Sequence, residues 1–66
     1  MPIGTVTSFD EYVGLGEVQD GDGASYLFHC AEIADGTRVI DVGAVVEFDL
    51  MTKLGTLEAS QLRPAP

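Results

Sequence analysis

Apolar and polar residues alternate in short runs along the chain, and clusters of turn residues separate the runs. A two-residue period of this kind marks half-buried β-strands, and no stretch holds a helical period long enough to compete. Ile3 to Phe9 is the first predicted strand, with Ile3, Val6 and Phe9 as core positions. Ile3 and Val6 stand an odd number of residues apart, so both face inward only if the strand is interrupted, and a bend or bulge is expected near Gly4. Gly14 to Gln19 is the second strand. Its glycines imply tight coiling or the close approach of another group.

Asp20-Gly21-Asp22-Gly23 supplies the positive φ angles of a hairpin turn and pairs that strand antiparallel with Ala24 to Cys30. Tyr26 and Phe28 then share one face, and Leu27 and His29 the other. Between Ala31 and Asp41 the alternation breaks. One helical or 3₁₀ turn fits there, dipping Ile33 into the core and ending at Gly36. Ala44 to Leu50 is the next strand, with Val46, Phe48 and Leu50 alternating against Val45, Glu47 and Asp49. Met51 to Gly55 reads as a turn or loop and Thr56 to Leu62 as the last strand. Arg63-Pro64-Ala65-Pro66 is expected to leave the sheet and fray. Five short strands in 66 residues are too few for two full stacked sheets. Closure removes the exposed edges, so the expected architecture is all-β, a five-stranded Greek-key barrel in a single domain over residues 1–66.

A chain of this size buries only about 60% of the surface it exposes when unfolded, which leaves little scaffold for a deep catalytic cleft. A binding protein is expected, not an enzyme, and no cofactor. The opening residues carry neither the basic stretch nor the apolar run of an export signal, and no window approaches the ~20 apolar residues of a membrane span. Cys30 is the lone cysteine, so an internal disulfide is excluded and a reducing cytoplasm is the expected setting, without membrane contact. Charge changes the picture most. Eleven acidic residues against three basic ones give a net charge of −8. A field of that sign repels polyanions and favours a monomer.

Several segments match a known pattern. Gly4-Thr5-Val6 with Phe9-Asp10, Gly14-Leu15-Gly16-Glu17-Val18, Leu27-Phe28-His29, and Gly43 with Val46 and Phe48 together resemble the cold-shock domain along nearly the whole chain. That family runs Gly-Thr-Val-Lys-Trp-Phe-Asn, Lys-Gly-Phe-Gly-Phe-Ile, a Phe-Val-His strand and a later Gly-x-x-Val-x-Phe strand. The resemblance implies an OB-fold barrel that binds single-stranded RNA or DNA, with Phe9, Leu15, Leu27 and His29 at the nucleic-acid-binding positions. The working surface departs from the pattern. Thr7 and Ser8 replace a basic residue and a tryptophan, Val13 replaces a basic residue, Leu15 and Glu17 replace two aromatics, and Leu27 replaces a phenylalanine. Stacking is worth roughly 1–3 kcal/mol per base, so losing three or four rings removes several kcal/mol. Three cations meeting phosphates would give a log–log salt slope of only about −2. Weak or lost nucleic-acid binding is expected. The alternative is an acidic protein-interaction module whose leucines and carboxylates meet a basic protein partner.

The remaining candidates are mostly structural, and His29 stays open. His29 is either a surviving base contact or a partly exposed ring packed on Leu15 or Leu27. Cys30 follows it on a strand and so faces the other way, which separates the two and places the thiol near the core. Asp20-Gly21-Asp22-Gly23 has the look of a calcium loop, but Ala24, Ser25 and Ala31 occupy the fifth, sixth and twelfth places where such a loop needs an oxygen ligand, glycine and glutamate. Gly14-x-Gly16 lacks the third glycine and the following helix of a dinucleotide site. No metal site and no catalytic residue is expected.

Overall fold

The computed structural model describes residues 2–33 and 39–65. Five strands follow one another: β1 (Ile3–Asp10), β2 (Leu15–Asp20), β3 (Ser25–His29), β4 (Val45–Lys53) and β5 (Thr56–Pro64), with a 3₁₀ turn at Cys30–Glu32 after β3. They form one sheet that closes into a ring in the order β1-β2-β3-β5-β4, with β4 returning to β1. Neighbours are antiparallel except β3 and β5, which meet in parallel at the pair Leu27 and Glu58. Ile33 adds a parallel bridge to Leu62. Closure gives each strand a neighbour on both sides and so answers the exposed-edge problem. No helix among the described residues is long and apolar enough to cross a membrane.

Val6, Val18, Phe28, Ile33, Val46, Phe48, Ala59 and Leu62 fill the interior. Apart from Ala59, each of these side chains contributes about 1.5–3 kcal/mol when fully buried relative to an exposed one. Against a total stability of about 5–15 kcal/mol, a single core residue is a large fraction. Ile33 is buried beyond the 3₁₀ turn, as its place in the sequence implied; Gly36 lies outside the described residues.

The first strand differs from expectation in one respect. Its bulge falls between Val6 and Ser8, not near Gly4, and Ile3 points outward. Val6 is pinned from the β4 side: its amide donates to Ala44 O at 2.9 Å, and its carbonyl accepts from Gly43 N at 2.7 Å. The extra residue, Thr7, absorbs the odd spacing and lets both Val6 and Phe9 turn inward.

The second half of the chain holds two further corrections. β4 continues through Lys53, so the expected loop shrinks to Leu54-Gly55. Both turn residues have positive φ, 51° and 81°, the backbone of a two-residue hairpin turn of type I′. Leucine gives no turn signal, which is why the sequence pattern hid it. The hairpin outruns the core, leaving Leu50 40% exposed. The C-terminal segment does not fray at Arg63: β5 keeps pairing through Pro64, which lies opposite Val46, and Ala65 N donates to Val45 O at 3.2 Å. With the Ala65 amide aimed at β4, the proline nitrogen one residue earlier faces the other way, where no ladder bond is lost.

Candidate binding face

Alternation along β2 and β3 builds the face. Leu15 stands opposite His29, and Glu17 opposite Leu27. Gly16, Val18 and Phe28, the intervening residues, are buried, so these four side chains project outward together. Leu27 is 47% exposed and the His29 side chain 49%. From β1, Asp10 lies opposite Leu15 and Ser8 opposite Glu17. From β5, Glu58 lies beside Leu27, and Met51 of β4 lies opposite Glu58. One outer surface thus runs across all five strands, with two leucines at its centre and carboxylates around them.

Leu15, Leu27 and His29 share this face. Phe9 does not. It pairs with Gly16, an inward position, and its ring stacks on Phe28 with centroids 6.0 Å apart and planes 8° from parallel. Gly16 has to be glycine for this layer to form: a Cβ there would stand 2.5 Å from Cζ of Phe28. The close approach expected of these glycines is that of a core aromatic at Gly16 and of the Cys30 thiol at Gly14.

Glu58 is the residue that the sequence did not single out. Its side chain is only 15% exposed, since Leu27 and Met51 flank it in register. Its Oε1 is buried and accepts no hydrogen bond among the described residues. The nearest cationic candidate is His29, whose Nε2 lies 3.6 Å away, beyond hydrogen-bond range. Leaving a buried polar atom without a partner costs about 1–3 kcal/mol, and more when the group is charged. Parallel pairing between strands distant in sequence puts Glu58 here, and alternation within β5 reveals only which side it faces.

Basic residues contribute little to this face. Arg63 donates from Nε to Glu47 Oε1 at 3.0 Å and approaches Asp49 with Nη2 at 3.5 Å, while Nη1 donates to Gln61 O. Lys53 sits at the far end of β4, opposite Thr56, and forms no ion pair among the described residues. Arg38 lies outside the described residues. The Asp10 carboxylate is already engaged, because its Oδ1 accepts from the amides of Tyr12 and Val13. Asp20 does likewise for Asp22 and Ala24, so its side chain serves the hairpin turn.

Cys30 turns inward. Its amide donates to Gly14 O at 2.8 Å, its thiol packs over Gly14, and the side chain is partly buried against the core. It therefore makes no pair with His29. Among the described residues no three His, Cys, Asp or Glu side chains converge as metal ligands. A mostly apolar groove of about 130 Å³ lies between Ile33, Ile40, Ala44, Val46 and Leu62, with Arg63 at its wall. Compared with family models and with curated proteins, the chain matches none.

Proposed function

We propose that this chain is a non-enzymatic binding module of the cold-shock type, an OB-fold barrel whose working surface is the outer face centred on Leu15, Leu27 and His29. The strand order β1-β2-β3-β5-β4 with β1 closing on β4 supports the fold half of the reading, since a five-stranded Greek-key barrel binds across its strand 2 and strand 3 face. The single observation that carries the functional half is the register that gathers Leu15, Leu27 and His29 on that face of β2 and β3.

Single-stranded nucleic acid, the ligand that the resemblance implies, is a weak ligand of this surface. Two leucines offer contact without an aromatic face, and Phe9 is engaged in the interior by Phe28. Glu17 and Glu58 present negative charge where a polyanion would lie, and the Arg63 guanidinium is held by Glu47 and Asp49. The test is a titration of short DNA and RNA oligomers at low and moderate salt, followed by amide NMR shifts. Small saturable shifts on Leu15, Leu27 and His29, with a log–log salt slope shallower than about −2, are expected. Tight binding with a steep slope would overturn the weak-ligand assignment. Shifts confined to another surface would overturn the choice of face.

A further inference from the structure

We infer that the outer face takes a basic segment of a partner protein, with an arginine laid across Leu15 and Leu27 and its guanidinium against the recessed Glu58 carboxylate. This rests on the reading of that face as the working surface and names its partner.

Charge complementarity carries the inference. Glu17 lies opposite Leu27 from β2 and Glu58 beside it from β5, so the exposed leucine is bracketed by two carboxylates. Among the described residues no cation neutralises either at hydrogen-bond distance; the nearest group is His29 at 3.6 Å from Glu58. Glu58 Oε1 in particular is buried without a donor.

The shape of the site selects the kind of cation. Leu15 and Leu27 form an apolar floor beside a recessed carboxylate. A basic side chain has the matching profile, an apolar stem with a charged head. Arginine fits better than lysine, because its planar head carries donors for two carboxylates at once and stacks on a flat ring such as the His29 imidazole. A phosphate backbone meets the same carboxylates with like charge and finds no partner. The net charge of −8 adds long-range attraction for a basic segment and repulsion for a nucleic acid or a second copy of this chain.

The experiment titrates the full chain with a short blocked peptide holding two arginines among apolar residues, and with the same peptide carrying citrulline, arginine's neutral isostere. Affinity and amide shifts are followed at low salt for the wild type, Glu58→Gln and Glu11→Gln. Glu11 is exposed in the β1–β2 connection, so its substitution makes the same charge change away from the floor. Saturable shifts on Leu15, Leu27, His29 and Glu58 are expected, weakened at least tenfold by Glu58→Gln and by citrulline and less than twofold by Glu11→Gln. Equal weakening by the two substitutions would overturn the site, reducing the effect to net charge. Oligonucleotide shifts on the face with no response to the arginine peptide would overturn the partner and leave the face standing. Peptide and oligonucleotide shifts that both avoid the face would bring down the face as well.

Discussion

Gly16 and Phe28 face each other across β2 and β3, close enough that the ring occupies the space a side chain on Gly16 would need. Gly16→Ala forces a buried aromatic to move and is expected to destabilise the fold by about 1–3 kcal/mol. Gly21, in the β2–β3 turn, has nothing within 4 Å of its would-be Cβ and no positive φ. Gly21→Ala should be neutral or stabilise by up to about 1 kcal/mol through the unfolded chain. Chemical denaturation of the two variants side by side checks both, and an equal effect would contradict the close approach.

Phe9 separates packing from binding. Its ring stacks on Phe28, so Phe9→Leu should lower the unfolding midpoint while leaving ligand shifts on Leu15, Leu27 and His29 unchanged once the protein is folded. Thermal unfolding and NMR titration of the same sample read the two effects separately.

Arg63 fastens the last residues of β5 to β4 through Glu47 and Asp49. The side chain is 27% exposed, so the stability effect of Arg63→Gln is expected to stay near 1 kcal/mol or below and to shrink as salt rises. Hydrogen exchange gives the sharper readout. The Ala65 amide, bonded to Val45 O, should exchange faster in the variant, with the Val18 and Phe28 amides much less affected.

Leu54 holds a left-handed backbone, φ 51°, at a fully exposed position. That conformation costs a branched L-residue about 1–2 kcal/mol, and asparagine tolerates it better. Leu54→Asn is expected to raise the unfolding midpoint without moving any ligand shift on the outer face. A lower midpoint would mean that the leucine side chain has a packing role.

The parts of the fold set by neighbours in sequence were legible. Asp20-Gly21-Asp22-Gly23 announces its turn by chemistry, and the alternation of Tyr26, Leu27, Phe28 and His29 assigns their faces correctly. Where tertiary contacts overruled local signals, the reading failed. The turn at Leu54-Gly55 contains a residue with no turn preference, and Pro64 stays in the ladder because its nitrogen faces away from β4. The bulge moved from Gly4 to Thr7 because Val6 is held by the turn at Gly43 and Ala44. The candidate site divides the same way. Leu15, Leu27 and His29 follow from β2–β3 pairing, whereas Glu58 reaches them only through the parallel β3–β5 pair.

That pair has a kinetic consequence. β1, β2 and β3 are consecutive antiparallel neighbours, and β4 and β5 form a hairpin of their own. Each piece is built from contacts short in sequence, which form early at small entropic cost. Joining them across Leu27 and Glu58 on one side and β1 and β4 on the other needs contacts distant in sequence, so ring closure is the slow, late event of folding. Glu58 arrives beside Leu27 only at that step, and a nascent or partly folded chain therefore lacks the complete face.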